Sequence, residues 1–430
     1  MKRTRQPLTV LLLAALAGGA IASPWDPGSV GGRGLALRAS KILISAYDGP
    51  SVLNQGIILV KDGMIEAVGP AKVTPIPAGY SVVDLRHQWI APGMVDLHSH
   101  IAGTWDINDM VFLTNPGLRV STAVVPGNSR LDTAVAGGVT TILFIPGSGT
   151  NMGGQGILLR TSEEAFDDAT LREPGSLKVA QAGNPEGYIM GVGRSFMNWN
   201  LRHTFQRGIA YAKRWEAAEV GKGEEPDRNP QWEIFRHLRK NEAQVSTHTQ
   251  VYQVVLSTIR IIAKELKIPV YIDHGTFDGY RAAGLAEEAG VPAILGPRSI
   301  DAPGSWRFRM WSGSQTERIQ GVAAGYQERG HRMVGFNTDA PVVPQEELSL
   351  QAAVGVRYGF DNSNMDAVRG VTSVPARAAG VDDLVGSIEV GREANLLILS
   401  GDPIDPRVSV DAVYSRGVKV YDTAIDRRRW

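Results

Sequence analysis

The sequence predicts an α/β protein: a TIM (β/α)8 barrel with a small β-sandwich domain formed by the N- and C-terminal segments. Three observations predict it. Short apolar runs separated by turn residues occur at both ends of the chain, strand and helix patterns alternate between them, and 430 residues suffice for a large barrel with an accessory domain. The expected boundaries are 1–22 for a signal peptide, 23–92 and 383–430 for the two parts of the β-domain, and 93–382 for the barrel.

The N-terminal segment has the pattern of a secretory signal. Lys2, Arg3 and Arg5 precede an apolar run at 8–17, and the small residues at 20–22 are typical of a cleavage site. The alternative is a membrane anchor, but the run is shorter than the roughly 20 residues that a spanning helix needs. We expect a secreted or periplasmic protein that begins near residue 23 and has no membrane anchor in its mature form.

Composition narrows the chemistry. Lys plus Arg and Asp plus Glu both number 44, so no basic field favours nucleic acid, and the arginines at 427–429 are expected to be a solvated end. A small-molecule substrate is the expected partner, and a homo-oligomer is left open. Cysteine is absent, which excludes disulfides and thiol nucleophiles. A metal site would therefore consist of His, Asp, Glu or a modified Lys.

The two ends of the chain share a β texture. Asp62-Gly63 and Arg416-Gly417 each stand between apolar runs, a pattern typical of hairpins. We expect the two ends to build one β-domain. The predicted strands are 41–45, 56–60, 64–68, 387–390, 394–399, 412–415 and 418–420.

Between these ends, repeated strand and helix patterns predict a parallel barrel. Helices are expected at 251–262 and 280–289, and 199–242 is interpreted as the fourth helix with an insertion. The eight predicted strands are 94–97, 140–145, 156–159, 177–180, 245–247, 270–272, 293–295 and 333–336.

Four histidines and one aspartate follow this register. His98 and His100 are two apart on the first strand, so both side chains point the same way and are able to hold one cation. His248, His274 and Asp339 end the fifth, sixth and eighth strands, on the face where barrel enzymes keep their active sites. Taken alone, His-x-His also occurs in structural hydrogen bonding. The alternative is that the four histidines are unrelated core or surface residues, and their shared placement at strand ends would then be accidental.

These residues stand in segments that resemble the amidohydrolase superfamily, in particular its imidazolonepropionase-like and Xaa-Pro dipeptidase-like branch. The resemblance covers nearly the whole mature chain and is specific for the superfamily, not for a substrate. The matching segments are Ile90-Ala-Pro-Gly-Met-Val-Asp-Leu-His-Ser-His100, Gly137-Gly-Val-Thr-Thr141, Ile272-Asp-His-Gly-Thr276, Thr338-Asp-Ala340, Thr372-Ser-Val-Pro-Ala-Arg-Ala378 and Gly386-Ser-Ile-Glu-Val-Gly391.

The resemblance implies a divalent metal centre, with two zinc ions per subunit. His98, His100 and Asp339 would bind the more buried ion, and His248 and His274 the other. Lys178, at the end of the fourth strand, would bridge them as N6-carboxylysine; the alternative is an ordinary lysine paired with a carboxylate.

The implied activity is hydrolysis of a C–N amide bond in a dipeptide, an N-acyl amino acid or a cyclic amide. A bound divalent ion lowers the pKa of its water to about 7 and polarises the scissile carbonyl. Asp339 would move the proton from the attacking hydroxide to the leaving nitrogen, and His274 would assist the oxyanion. Arg298, like Arg194 and Arg202, is a candidate to bind a substrate carboxylate.

A glycine-rich loop at 146–156 follows the second strand. Asn151 and Gln155 are candidate pocket-wall residues there, and a structural turn is the equal alternative. A subgroup with a similar loop commonly has Glu-Asn-Pro after strand four, a second histidine after strand five, and histidine after the strand-eight aspartate. This chain has Gly183, Gln250 and Ala340 at those places. The metal count and the substrate of that subgroup are therefore not carried over to this chain.

Three alternatives to amide hydrolysis differ in their sequence support. A nucleotide fingerprint fails because Met152 stands where a third glycine belongs. Lactone or phosphotriester cleavage remains open, because the same hydroxide attacks those electrophiles. A catalytically inactive secreted binding protein remains open as well, and would need neither the full ligand set nor the proton shuttle.

Overall fold

A computed structural model describes residues 34–105, 107–187, 191–302 and 319–426. The predicted signal peptide at 1–22 and the arginines at 427–429 lie outside the described residues. The strands are β1 (Leu35–Leu43), β2 (Val52–Lys61), β3 (Met64–Pro70), β4 (Ser81–Pro92), β5 (Met94–Ser99), β6 (Val139–Phe144), β7 (Met152–Arg160), β8 (Thr170–Ala180), β9 (Gln244–Thr249), β10 (Val270–His274), β11 (Ala293–Leu295), β12 (Ile300–Asp301), β13 (Gln320–Gly321), β14 (Val334–Phe336), β15 (Leu396–Leu399), β16 (Val410–Ser415) and β17 (Val418–Asp422).

Most helices lie between the strands from β5 to β14 or shortly after β14. They are α1 (Ser129–Ala136), α2 (Phe166–Ala169), α3 (Arg194–Glu219), α4 (Ile234–Arg239), α5 (Tyr252–Thr258), α6 (Ala283–Glu288), α7 (Val322–Gln327), α8 (Leu348–Arg357), α9 (Asp366–Gly370) and α10 (Ser373–Ala378). Within the described ranges, no helix combines the length and the apolar character needed to cross a bilayer.

The two ends of the chain form one seven-stranded sheet in the order β17-β16-β15-β4-β1-β2-β3. Both predicted hairpins are confirmed. Asp62 and Gly63, and likewise Arg416 and Gly417, have the paired positive φ angles that a two-residue hairpin turn requires. A Cβ built on Gly63 would lie 3.3 Å from Arg416, so the sheet curls until its two hairpin turns meet.

The predicted strand at 387–390 does not form. Gly386 and Gly391 flank it with φ of 92° and 86°, which interrupts extended backbone on both sides. The segment makes single hydrogen bonds instead: the Ile388 N–H donates to the Ile44 carbonyl at 2.9 Å, and the Gly391 N–H to the Ile65 carbonyl at 2.9 Å. It thus ties the barrel to the β-domain without extending the sheet.

The predicted eight-stranded barrel is confirmed. Its strands follow chain order, β5-β6-β7-β8-β9-β10-β11-β14. A parallel bridge between Ser99 and Ala340 joins the two ends of this sheet, and the His100 N–H donates to the Ala340 carbonyl at 2.9 Å. This closure brings the first and eighth strands side by side at the barrel mouth.

The expectation of a fully parallel barrel is wrong at the third strand. β7 pairs antiparallel with both β6 and β8, whereas the other pairs in the sheet are parallel. The connection at 145–151 holds the first part of the predicted glycine-rich loop and contains no helix, so the chain turns back beside β6. A parallel pair would need a crossover of a dozen or more residues.

The predicted helices form with altered detail. The segment 199–242 contains most of α3 and all of α4, and it connects β8 to β9. After β9, α5 continues into a π-helical segment at Ile259–Glu265, and Val255, Ile259 and Ile262 are buried as their spacing predicts. The helix predicted at 280–289 is a 3-10 turn followed by α6.

Candidate metal centre

Five of the six predicted metal ligands converge at the carboxyl ends of the barrel strands. His98 lies on β5 and His100 directly follows it, His248 lies on β9, His274 ends β10, and Asp339 lies in the turn after β14. The four histidines are buried, whereas the Asp339 side chain is 18% exposed. Asp339 is therefore the ligand through which the cluster reaches the surface.

His98, His100 and Asp339 form a compact triangle, which we call the first group. The two Nε2 atoms are 3.2 Å apart, and Asp339 Oδ1 lies 3.0 Å from His98 Nε2 and 3.4 Å from His100 Nε2. Ligands bound about 2.0–2.1 Å from one tetrahedral zinc ion are separated by roughly 3.3 Å. The triangle thus has the size of one face of such a site.

Three of the rings are oriented by hydrogen bonds that start at Nδ1. The acceptors are a carboxylate and two carbonyls, which only accept, so Nδ1 carries the proton and Nε2 is the atom left for a ligand. These hydrogen bonds join His98 Nδ1 to Asp273 Oδ1 at 2.8 Å, His100 Nδ1 to the Ile145 carbonyl at 2.9 Å, and His274 Nδ1 to the Gly296 carbonyl at 2.7 Å.

His248 and His274 form a second group beside the first. His248 Nδ1 lies 2.9 Å from His274 Nε2 and 2.9 Å from Ser148 Oγ. One ligating atom from each of His98, His274 and Asp339 falls within a 4.8 Å cluster, so the two groups adjoin. Together the two groups offer imidazole donors and the Asp339 carboxylate, which suit zinc and similar divalent ions.

Asp273 was not among the predicted site residues. This fully buried carboxylate accepts from His98 Nδ1 through Oδ1, and from Lys178 Nζ through Oδ2 at 2.9 Å. A signal was present, because an aspartate inside the apolar strand 270–274 requires a cationic or hydrogen-bonding partner. Lys178 is also fully buried and has the carboxylate pairing that was the alternative to carboxylation.

The chain is similar to known amidohydrolases in sequence and in fold. The model of the amidohydrolase family matches residues 313–421. An imidazolonepropionase of Sphingopyxis alaskensis is 24% identical over 390 residues, 85% of this chain and 92% of that protein. A solved amidohydrolase from Thermotoga maritima MSB8 is 25% identical with a TM-score of 0.77, covering 90% of this chain and 100% of that one. The chain is thus similar to amidohydrolases over most of its length.

Two further relatives are similar to this chain in only part of their length or only in fold. An amidohydrolase of Hapsidospora irregularis is 22% identical over 86% of this chain, which spans only 40% of that protein's length. A solved Xaa-Pro dipeptidase with methionine bound in its active site covers 90% of this chain and 100% of its own, with 16% identity and a TM-score of 0.55, and shares the fold. The comparisons thus indicate a hydrolase that acts on carbon–nitrogen bonds.

The electrostatics of the candidate metal site differ between its two groups. Burial opposes a charge on His98, but the carboxylates of Asp273 and Asp339 outweigh it and raise the His98 pKa to about 9. Burial would raise the pKa of Asp339, yet His98 and His100 hold it well below its usual range. In the second group, burial lowers the His274 pKa to about 4 and holds the His248 pKa well below its ordinary value.

Asp96 positions the first group. Its Oδ1 accepts from the His98 N–H at 2.9 Å, and its Oδ2 accepts from the Thr338 N–H at 3.0 Å, Thr338 Oγ1 at 2.7 Å and Gln345 Nε2 at 2.6 Å. Burial raises the pKa of this carboxyl to about 6 in spite of those donors. Asp96 therefore joins the first strand to the turn that presents Asp339, whose φ of 51° is held in the left-handed region.

The glycine-rich loop contacts the site through Ser148. Asn151 and Gln155, the predicted pocket-wall residues, are buried in structural hydrogen bonds: Asn151 Nδ2 donates to the Ala180 carbonyl at 2.8 Å, and Gln155 Nε2 to the Pro116 carbonyl at 2.9 Å. The structure thus supports the turn interpretation for both. No periodicity singles out Ser148, because its position depends on how the loop folds back.

The three arginines that were candidates to bind a substrate carboxylate lie in different places. Arg194 pairs with Glu186 at 3.0 Å, and Arg202 with Glu265 at 2.7 Å. Arg298, which follows β11, lines a cavity that also includes Asp339. Of the three, only Arg298 is therefore placed beside the described metal-ligand cluster.

Proposed function

We propose that this chain is a secreted or periplasmic, metal-dependent amidohydrolase that cleaves the C–N amide bond of a small molecule. The observation that carries the proposal is the set of imidazoles whose Nδ1 atoms are held by fixed acceptors, so that their Nε2 atoms converge beside Asp339 Oδ1. A packing cluster has no need of such an arrangement, whereas a metal site depends on it.

A divalent ion bound by these residues would lower the pKa of water and polarise a carbonyl. The chain's own contribution to proton movement is Asp339. The neighbouring histidines hold its pKa well below the usual range, so the carboxylate is ionised at pH 7 and carries no proton before water attacks. Its partial exposure allows the same group to deliver a proton to the leaving nitrogen.

The proposed role of His274 is that of a ligand. The resemblance also implied that it assists the oxyanion. Its Nδ1 proton is given to the Gly296 carbonyl, and a pKa of about 4 leaves no proton on Nε2 at neutral pH. Nε2 is therefore suited to accept or to bind a metal ion, and not to donate to a developing oxyanion.

We further propose two zinc ions, with Lys178 as the residue whose modification decides whether they are bridged. Its complete burial at the site supports carboxylation, whereas its contact with Asp273 supports the unmodified amine. Intact-mass measurement under conditions that retain bound carbon dioxide, combined with metal analysis, distinguishes these states. An unmodified Lys178 in a protein with one ion would contradict the bridged pair.

The location rests on the N-terminal pattern at 1–22 alone. Expression with the complete leader, followed by N-terminal sequencing of the mature protein, tests it. Cleavage near residue 23 and recovery outside the cytoplasm are expected, whereas an intact leader in a membrane fraction would contradict the proposal.

The activity is tested with the full chain, a chelator and a panel of dipeptides, N-acyl amino acids, cyclic amides and lactones. We expect amide hydrolysis that stops on metal removal and returns when zinc is restored. Turnover of lactones without amides would overturn amide cleavage. Absence of turnover, with no effect of metal on thermal stability, would favour an inactive binding protein.

A further inference from the structure

Ser148 contacts the second group of the metal centre at the place where the two imidazoles meet. Its Oγ lies 2.9 Å from His248 Nδ1, and the same nitrogen lies 2.9 Å from His274 Nε2. Among the described hydrogen bonds, these rings have one further partner, the Gly296 carbonyl, which accepts from the other nitrogen of His274, Nδ1. A hydroxyl oxygen therefore stands beside the two nitrogens that face each other.

His248 presents Nδ1, not Nε2, to its neighbour. Among the described residues its buried Nε2 has no hydrogen-bond partner, and a Cβ built on Gly183 would lie 3.1 Å from this atom. Nε2 thus faces the backbone that follows β8, whereas Nδ1 faces His274 and Ser148. Nδ1 is therefore the His248 atom that is placed to share an ion with His274.

The spacing of these atoms fits adjacent ligands of one ion. Two ligands at right angles, each about 2.0–2.1 Å from an ion, are separated by about 2.9 Å. His248 Nδ1 lies at this distance from both Ser148 Oγ and His274 Nε2. Without an ion, the contact with His274 Nε2 needs a proton on His248 Nδ1, because that Nε2 carries none. A cation, in contrast, takes a lone pair from all three atoms at once.

The two imidazoles of the second group need a further protein ligand. A catalytic zinc ion takes three protein ligands and one water. Lys178 Nζ donates to Asp273 Oδ2 at 2.9 Å, and an ammonium group in such a pair has no lone pair for a cation. Ser148 supplies an oxygen at ligand spacing without any modification of the chain.

The glycine-rich loop holds Ser148 from both sides. The Gly147 N–H donates to the Ile107 carbonyl at 3.2 Å, and the Gly149 N–H donates to Asn108 Oδ1 at 3.2 Å. A Cβ on Gly147 would lie 2.4 Å from Asn108 Nδ2, and one on Gly149 would lie 2.9 Å from Asn108 Oδ1, so Asn108 occupies the space that side chains there would need. Ser148 itself is 7% exposed. The loop thus fixes the position of its hydroxyl, as a metal ligand requires.

We propose that Ser148 Oγ is a protein ligand of the second ion, together with His248 Nδ1 and His274 Nε2. A serine or threonine hydroxyl binds a divalent ion in the same way in phosphate-binding loops. This inference rests on the proposed metal-dependent function and adds a ligand that the resemblance does not supply. The donors of the second group are then two neutral imidazoles and a hydroxyl, whereas the first group has the Asp339 carboxylate.

The test uses cobalt(II) in place of zinc and compares wild type with Ser148→Cys and Ser162→Cys. Because the chain has no cysteine, each variant carries a single thiol. Ser162 is the matched control, since its Oγ donates to Ser415 Oγ at 2.8 Å in the β-domain. A thiolate bound to cobalt gives an intense near-ultraviolet charge-transfer band. We expect this band in Ser148→Cys as the second equivalent of cobalt binds, and not in Ser162→Cys or wild type. Two bound equivalents in Ser148→Cys without the band would overturn the inference.

Ser148→Ala provides a second measurement, by competition for zinc between the full chain and a chelating dye. Loss of a ligand should weaken binding of the second ion by about 100-fold or more, beyond the 10- to 100-fold that is typical when a ligand loses its hydrogen-bond partner. Binding of the first ion should be unchanged. A second ion bound as tightly as in wild type would show that the hydroxyl is not a ligand.

Hydrolysis of amides, measured on the same samples, separates this inference from the proposed activity. If the cobalt–thiolate band appears in Ser148→Cys but no amide is turned over by wild type, the ligand stands and the proposed hydrolysis fails. If wild type hydrolyses amides with a single bound ion and binds no second one, the hydrolysis stands and the assignment of Ser148 as a ligand is overturned.

Discussion

The histidines of the two ligand groups stand in opposite electrostatic surroundings. His98 and His100 face Asp339, and His98 is backed by Asp273. His248 and His274 are hydrogen-bonded by Ser148 and by the Gly296 carbonyl, both neutral. The His98 pKa accordingly rises to about 9, whereas that of His274 falls to about 4.

This contrast teaches that burial alone does not prepare a cation site. In the first group, two carboxylates hold a proton on His98 against the cost of burial, and a metal ion is able to take the place of that positive charge. In the second group the imidazoles are neutral and no carboxylate contacts them among the described hydrogen bonds and ion pairs. The first group is therefore expected to bind the tighter ion.

The largest effect is expected from Asp339→Asn. The amide removes a negative ligand of the first group and the proton carrier together, so amide hydrolysis should fall by about 100-fold or more. Steady-state kinetics with added zinc measure the loss, and Asp405→Asn in the β-domain is the control for nonspecific effects. Near-normal activity of Asp339→Asn at saturating zinc would remove Asp339 from the proton pathway.

Asp273→Asn should have the next largest effect. It retains the shape but loses the charge behind His98 and leaves Lys178 Nζ without its carboxylate. Affinity for the tighter ion should fall by about 10- to 100-fold, measured by competition with a chelating dye. Ser148→Ala is the matched change at the second group and should leave that affinity intact. Equal losses of affinity in the two variants would contradict the proposed difference between the two groups.

Proton release gives a smaller and more specific difference. Below a pKa of about 9 the metal-free His98 is protonated, so binding at pH 7 must displace its proton, and affinity should rise with pH by about tenfold per unit until pH 9. His274 is already neutral at pH 7. Calorimetry in buffers of different ionisation enthalpy should therefore show about one proton fewer released from Asp273→Asn than from wild type. Identical release would contradict the assignment to His98.

Much of the fold was predictable because its signals are local. The alternation of apolar runs located the barrel strands, and Asp62-Gly63 and Arg416-Gly417 located the hairpins. The direction of the third strand was missed because apolar runs carry no direction. The short connection at 145–151 was the only clue, since it is too short for a parallel crossover.

The candidate site, too, was predictable only in part. The ligands were located from strand ends, which the barrel places on one face. Asp96 and Asp273 were passed over, because their roles depend on partners 242 and 95 residues away in the chain, Thr338 and Lys178. Such pairings arise from the closure of the barrel and leave no spacing signal in the sequence.

Zinc titration of the metal-free protein, comparing His100→Ala with His248→Ala, tests directly whether the first group binds the tighter ion. Because His100 belongs to the carboxylate-backed group, its loss should abolish the tighter binding event. His248→Ala should keep one tight ion bound by His98, His100 and Asp339. Loss of tight binding in His248→Ala with its retention in His100→Ala would contradict the account.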